Sequence, residues 1–243
     1  AVQLKNEFVS MVSHELRTPI TSIIGFASTL RDSWRDLERD EVEEFLGIML
    51  HESVHLKNLV EDILVIPRLE AGRLPLDNTD FELRPAAFRI SDLLFPQGGP
   101  KQAGVNIPGS VVVHADPNRV QQVLRNLLEN AHKYGGDQVL IDGEPLGAMY
   151  QVSVSDNGPG VPEADRERIF EHFEQGSKGD SRTDTGIGLG LPIARKLVRV
   201  MGGDLWCEQR FPTGARFCFT IKLVSAEESE ADQSERQAAL PSS

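Results

Sequence analysis

The sequence predicts an α+β chain: an antiparallel helical hairpin that forms a dimeric four-helix bundle, followed by an α/β sandwich with a mixed sheet covered on one face by helices. Three observations predict it. Apolar residues recur at threes and fours through residue 30, a seven-residue repeat runs from residue 42 to residue 63, and from about residue 74 the texture changes to short strands broken by Gly and Pro.

In the first helix Leu4, Phe8, Val12, Leu16, Ile23, Phe26, Ala27 and Leu30 form one apolar stripe at about 100° per residue. His14 projects on roughly the opposite side, among Ser10, Arg17, Thr18, Thr21 and Gly25, and is expected to face solvent. Glu15 is adjacent and Thr18 lies one turn on, so a carboxylate and a hydroxyl can both approach the imidazole. Pro19 removes a backbone donor and is expected to bend the helix. Alone, such a histidine is most simply a solvated side chain. The glycine-rich patterns about a hundred residues later change that reading, because they offer a place to hold a phosphoryl donor for a histidine nucleophile.

The second helical pattern starts near Asp40, with Val42, Met49, Leu56 and Ile63 seven apart and Phe45, Leu46, Leu59 and Val60 between them. A heptad repeat of this kind wants a partner helix. Two helices joined by a short acidic turn cannot bury both stripes alone, whereas dimerisation into a four-helix bundle buries them. Packing against the second domain is the alternative. Pro67 and then Gly72 are expected to kink and end this helix. His51 and His55 share a helix face at metal-ligand spacing, yet no third ligand is evident and they read as a solvated or packed pair.

Composition bounds the function. The 243 residues are 40% hydrophobic and 26% charged, as expected of one or two globular domains. A formal charge of −12 argues against a general nucleic-acid or anionic-membrane surface. No run reaches the roughly 18 apolar residues of a membrane span, and no signal peptide is visible, so this segment is expected to be cytoplasmic and to make no membrane contact. The chain opens in mid-helix pattern without an initiator Met, and is expected to follow a sensor or membrane region of a longer protein. Cys207 and Cys218 flank a hairpin turn at Pro212, Thr213 and Gly214 and read as reduced, packed thiols. The expected domains are residues 1–73, residues 74–224, and an acidic disordered tail over residues 225–243.

In the second domain, strands are expected near residues 79–84, 110–114, 138–142, 149–155, 204–210 and 215–223, with helices near 85–95, 117–134 and 190–201. Asn126 and Asn130 share a helix face, with Lys133 three further on. An amide oxygen of Asn130 can coordinate Mg²⁺ while the lysine meets a phosphate. Asp156, Gly158 and Gly160 form an Asp-x-Gly-x-Gly turn after an apolar strand, where a carboxylate can accept from an exocyclic amine and glycines let the backbone approach a ligand. Gly186, Gly188 and Gly190 precede Leu191, Pro192 and an amphipathic helix, offering free amides to anionic phosphates. Any one of these clusters is compatible with a simple turn; their order gives them meaning. A Gly-x-x-x-x-Gly-Lys-Ser/Thr loop is absent, which excludes a P-loop enzyme.

Over residues 1–224 the chain resembles the orthodox two-component sensor histidine kinases. Residues 8–19 (FVSMVSHELRTP) resemble the family's phosphoacceptor box and residues 122–134 (QVLRNLLENAHKY) its asparagine box. Residues 156–161 (DNGPGV), 169–173 (IFEHF) and 186–193 (GIGLGLPI) resemble the first glycine, phenylalanine and second glycine boxes. The resemblance implies a dimeric helical hairpin followed by a GHKL α/β sandwich that binds ATP and Mg²⁺. It further implies that His14 attacks the γ-phosphoryl group of ATP, with Glu15 orienting the imidazole and accepting its proton. Asp156 would recognise the adenine amine, Tyr134 would pack on the base, Asn130 would hold Mg²⁺, and Asn126 and Lys133 would position the phosphates. Gly158, Gly160, Phe170, Gly186, Gly188, Gly190 and Leu191 complete the implied nucleotide site. The partners it implies are a second copy of the chain and the receiver domain of a response regulator, with Thr18 orienting the water of a regulator phosphatase.

The chain also departs from the family pattern. Ile187 replaces a small hydroxyl residue, and Gln175 replaces a basic residue that often begins the lid, leaving Lys178 or Arg182 as the γ-phosphate clamp. His132 replaces an apolar residue, Pro67 stands where a serine is common, and residues 95–111 are rich in Gly and Pro. None of these departures abolishes the pocket pattern; together they allow a slow kinase or one poised toward phosphatase activity. Two other classes compete with this reading. A gyrase-like or chaperone-like ATPase resembles this domain but carries a water-activating Glu where Asn126 stands and lacks a His14 box. A dimeric scaffold without ATP turnover is opposed by the intact His14, Asn130 and Asp156.

Overall fold

The computed structural model describes residues 2–171, 188–210 and 212–224, with side chains from residue 10 onward. These residues divide into two compact units, a helical hairpin up to Leu74 and a mixed α/β unit that begins at Pro75.

The hairpin pairs α1 (Val2–Ser33) with α2 (Arg39–Glu70). Near their connection Phe26 and Phe45 meet with ring centroids 5.0 Å apart, a tilted pair of the kind that contributes about 0.5–1.5 kcal/mol beyond its buried area. Helix α1 runs on through Pro19 as one element: the missing proline N–H removes one backbone bond, and the half-buried stripe on either side continues the helix. The Glu41 carboxylate accepts from the Glu38 backbone N–H at 2.9 Å, the reciprocal half of a capping box that starts α2. At the other end the Arg73 N–H reaches the Arg68 carbonyl and the Gly72 N–H reaches Leu69, with Gly72 at φ 61°. This Schellman arrangement needs the left-handed conformation that glycine supplies, so α2 stops there.

The second unit contains β1 (Thr79–Glu82), α3 (Leu83–Leu94), β2 (Gln102–Asn106), β3 (Val112–Ala115), α4 (Pro117–Tyr134), β4 (Gln138–Leu146), β5 (Met149–Asp156), α5 (Gly190–Val200), β6 (Leu205–Gln209) and β7 (Ala215–Lys222). Five strands form a mixed sheet in the order β2-β4-β5-β7-β6, with β2 parallel to β4 and every other pair antiparallel. A two-stranded ladder of β1 and β3 joins the end of β7 through a bridge between Val113 and Leu223.

Register puts Tyr150, Val152 and Val154 of β5 beside Ile221, Phe219 and Phe217 of β7, and Leu205 and Cys207 of β6 beside Phe219 and Phe217. All of these are buried. Helices α4 and α5 cover this face with Val120, Val123, Leu124, Leu127, Leu128 and Ala131 from one and Ile193, Ala194, Leu197 and Val198 from the other. The period-2 pattern of the strands meets the 3.6 period of the helices in one apolar layer.

Two expectations need correction. Strand β2 was not anticipated in the segment read as rich in Gly and Pro; it is an edge strand of low strand propensity, held by parallel pairing of Gln102 through Asn106 with Gln138 through Asp142. The strand expected over residues 79–84 ends at Glu82, because Leu83 already begins α3 and is fully buried.

Candidate active site

The candidate residues form two constellations, one in each unit. On α1, His14 is exposed, with 66% of its side chain open to solvent, while the neighbouring Glu15 side chain is 13% exposed. Glu15 Oε1 lies 3.6 Å from His14 Nδ1, an ion-pair separation slightly longer than a hydrogen bond. His14, Arg17, Thr18, Thr21 and Ser22 line an open cleft of about 470 Å³. The Thr18 hydroxyl, expected to approach the imidazole, instead donates to the His14 carbonyl at 3.3 Å, and Thr21 does the same to Arg17 at 2.8 Å. Back-bonding of this kind is the default for a threonine inside a helix.

The second constellation gathers at the C-terminal ends of α4 and β5. Asp156 ends β5 and is 4% exposed. Its Oδ1 accepts from Gly158 N at 2.8 Å and Ala215 N at 3.3 Å, which fixes the carboxylate while its second oxygen remains available to a ligand amine. The turn that follows is built by close backbone approach. A Cβ on Gly158 would stand 2.8 Å from the Tyr134 carbonyl oxygen, and one on Gly160 would stand 2.8 Å from that of Gly214. Gly160 has φ 80° and Gly214 φ 114°, conformations that other residues rarely adopt. Asn157 ties the turn to β4, donating to Asp137 at 2.8 Å and accepting from Gln138 N at 3.0 Å.

On α4, Asn126 is 4% exposed, and its side-chain amide donates to the Gly190 carbonyl at 3.0 Å. Asn130 is half-buried one turn later, with Lys133 and Tyr134 exposed beyond it. Gly190 and the half-buried Leu191 open α5, so the asparagine helix is fastened to the start of the next helix. Gly188 holds a left-handed conformation at φ 67°. The asparagine and first glycine boxes and the start of α5 therefore belong to one surface of the second unit.

Phe170, expected in the nucleotide site, packs within the second unit. Its ring is 8% exposed, edge-on to Phe217 at 6.4 Å, with the Arg195 guanidinium 4.7 Å over its face. Arg195 also pairs with Glu167 at 2.7 Å. An apolar ring next to β7 and under a guanidinium is stabilised best by burial, so Phe170 anchors the segment before it to α5. Lys178, Arg182 and Gly186, with Gln175, Ile187 and the tail from residue 225, lie outside the described residues. His132 packs its ring against Phe95 at 5.4 Å, which accounts for an aromatic residue in the asparagine box.

Two contributors were missed. Gly214 read as a hairpin turn but packs against Asp156, a contact that only the folded sheet reveals. Asp116 caps α4, accepting from Asn118 N at 2.9 Å and Arg119 N at 3.3 Å; the Asp-Pro pair just before the helix was its legible signal.

Cys207 and Cys218 are free and buried, and burial pushes both thiols up to about 12. Among the described residues no three His, Cys, Asp or Glu side chains gather as a metal site, which applies to His51 and His55 as well. Among the described residues no helix is long and apolar enough to cross a membrane.

The family description "His Kinase A (phospho-acceptor) domain" matches residues 4–72, and "Histidine kinase-, DNA gyrase B-, and HSP90-like ATPase" matches residues 115–225. The chain is 35% identical over 234 residues to the signal transduction histidine-protein kinase BarA of Escherichia coli (strain K12), covering 92% of this chain and 25% of that one. It is 31% identical over 242 residues to the sensor protein GacS of Pseudomonas syringae pv. syringae, covering 96% of this chain and 26% of that one. The chain thus spans about a quarter of the length of these curated relatives. Full-length ShkA, solved in complex with AMPPNP, is similar with a TM-score of 0.61 and 27% identity over 91% of this chain and 46% of that one. The catalytic domain of histidine kinase ThkA is similar with a TM-score of 0.52 and 31% identity, over 60% of this chain and 95% of that one. Phosphoacceptor hairpin and ATP-binding sandwich, in this order and with these motifs, place the chain in the two-component sensor histidine kinase family, as its catalytic core.

Proposed function

We propose that the chain transfers the γ-phosphoryl group of ATP to His14 and passes it to an aspartate of a response-regulator receiver domain. The observation that carries this reading is the exposed His14 imidazole with the Glu15 carboxylate 3.6 Å from Nδ1. Glu15 orients the ring and takes its proton. The opposite ring nitrogen attacks phosphorus, the N–P bond forms as the P–O bond to ADP breaks, and ADP leaves with the electron pair. Positioning and electrostatics supply most of the rate, as is usual in phosphoryl transfer.

Residues of the second unit hold the nucleotide. Asp156 accepts from the adenine amine through the oxygen its backbone partners leave open, and the glycine turn lets the base approach. Tyr134 covers the base, while Lys133 and the first amides of α5 at Gly190 and Leu191 face the phosphates. Asn126 acts on the phosphates through Gly190, whose carbonyl it holds. Lys178 and Arg182 remain the proposed γ-phosphate clamp. A hard cation suits an amide oxygen with phosphate and water oxygens, and Asn130 is the residue placed to hold it. When bound there, Mg²⁺ neutralises charge on the phosphates.

A homodimer is supported by the apolar side chains the hairpin leaves in solvent: Ile20, Ile24, Leu46, Leu50, Val54 and Leu64 are 41–67% exposed. A second hairpin covering them completes a four-helix bundle. The domains proposed for the chain are residues 1–73 for dimerisation and phosphotransfer and residues 74–224 for ATP binding. Phosphatase activity toward the regulator is proposed for Thr18, which lines the cleft beside His14.

Transfer is tested by loading the protein with γ-labelled phosphate, removing ATP and adding a receiver domain with its cognate aspartate intact or replaced by Asn. Label moving only to the intact receiver supports the reading. Label that stays on the kinase with every receiver tried, including those of related systems, removes the transfer step.

A further inference from the structure

We infer that Asp116 is a positioning residue, a latch that fixes where the segment leading from α2 leaves the ATP-binding unit. The inference rests on the proposal that α4 carries nucleotide-binding side chains.

Asp116 is 4% exposed and its two carboxylate oxygens have different partners. Oδ1 caps α4 through Asn118 N and Arg119 N. Oδ2 accepts at 3.1 Å from the backbone N–H of Asp77, a residue 39 positions earlier in the extended segment between α2 and β1. Capping alone needs one oxygen, as the frequency of Ser and Thr at such positions shows. The second oxygen is committed to the connecting segment.

The ladder of β1 and β3 explains the geometry. Its outermost pair is Thr79 with Ala115, so the backbone pairing stops one residue before Asp116. Beyond it the Asp116 side chain takes over and accepts from the N–H of Asp77, two residues before the ladder begins. The last residues before β1 are thereby bound to the first turn of α4, the 18-residue helix whose later turns present Asn126 and Asn130. Asn126 in turn holds Gly190 at the start of α5. One rigid helix thus has the connecting segment at one end and the nucleotide residues along its length. Whatever stabilises α4 stabilises the latch, and by linkage the reverse holds.

Three variants separate the latch from the cap. Asp116→Ser keeps a capping oxygen but is too short to reach Asp77. Asp77→Pro removes the N–H and leaves Asp116 intact, while Asp77→Ala keeps the N–H and serves as the control. In wild type, amide exchange at Asp77 is expected to be about tenfold slower than in Asp116→Ser. Asp116→Ser and Asp77→Pro are both expected to lower the autophosphorylation kcat about three- to tenfold with the KM for ATP and AMPPNP affinity within about twofold, and Asp77→Ala to match wild type. Equal Asp77 exchange in wild type and Asp116→Ser overturns the inference. So does a wild-type kcat in Asp77→Pro, or a loss of rate that comes with an equal loss of AMPPNP affinity, which marks a merely structural role. Should wild type take up no phosphate at all, the kinase reading fails, and the exchange comparison still decides the latch.

Discussion

Asn126 on α4 donates its side-chain amide to the carbonyl of Gly190, the first residue of α5, across 3.0 Å and 64 residues of chain. Both partners are inside the second unit, and Asn126 is 4% exposed, so water does not replace this bond easily. Asn126→Asp keeps the shape but sets a carboxylate against a carbonyl. A buried bond lost in this way costs about 1–3 kcal/mol. The start of α5 should loosen, and calorimetric titration with AMPPNP should show affinity reduced about tenfold or more.

Gly214 meets Asp156 from the opposite hairpin. An added Cβ would overlap the Asp156 carbonyl oxygen, and φ of 114° is unfavourable for any L side chain. Gly214→Ala is expected to lower unfolding stability by about 2 kcal/mol or more and to weaken nucleotide binding, because the turn that holds Asp156 must shift. Chemical denaturation with and without nucleotide measures both effects. Wild-type values in both would show that the hairpin yields freely.

How much of this was legible beforehand varied with distance along the chain. The two long helices announced themselves through Phe26, Phe45 and the repeats around them, since amphipathic periodicity is local. The Asp156 turn and the asparagine helix were equally plain as motifs. Strand β2 was not, because Gln102 through Asn106 has no strand pattern of its own and is held by pairing with the expected strand that starts at Gln138. Gly214 hid for the same reason: its reason for being glycine is Asp156, 58 residues away. Thr18 was located correctly on its helix, yet its hydroxyl turns to that helix's own backbone, and the Phe170 ring turns to Phe217, choices made by backbone geometry and packing.

Asp204 gives the fold a pH dependence. Partial burial alone would raise its carboxyl, but the Arg199 hydrogen bond at 2.9 Å, the Leu205 backbone N–H and the charges of Arg199 and Arg195 outweigh it and hold the group below its ordinary 3.8. A lowered folded-state value stabilises the fold above the unfolded pKa, and the contribution is lost as pH falls through the folded one. The side chain is 51% exposed, so the effect is about 1 kcal/mol at most. Asp204→Asn should be less stable than wild type by that amount at pH 7, with the gap closing below pH 3.8.

Leu46 and Leu50 lie one turn apart on α2 and are 52% and 67% exposed. Replacing both with Glu should convert the protein to monomer in sedimentation velocity at micromolar concentration, while AMPPNP affinity stays within about twofold. A dimer that survives both substitutions would place the interface elsewhere.

His14 is the proposed acceptor of phosphate from ATP. Incubating the protein with γ-labelled ATP and Mg²⁺, beside His14→Gln, tests it most directly. Wild type is expected to carry label that is labile in acid and stable in base, and His14→Gln to carry none although that variant binds AMPPNP normally. Equal label on both proteins, or acid-stable label, would contradict this assignment.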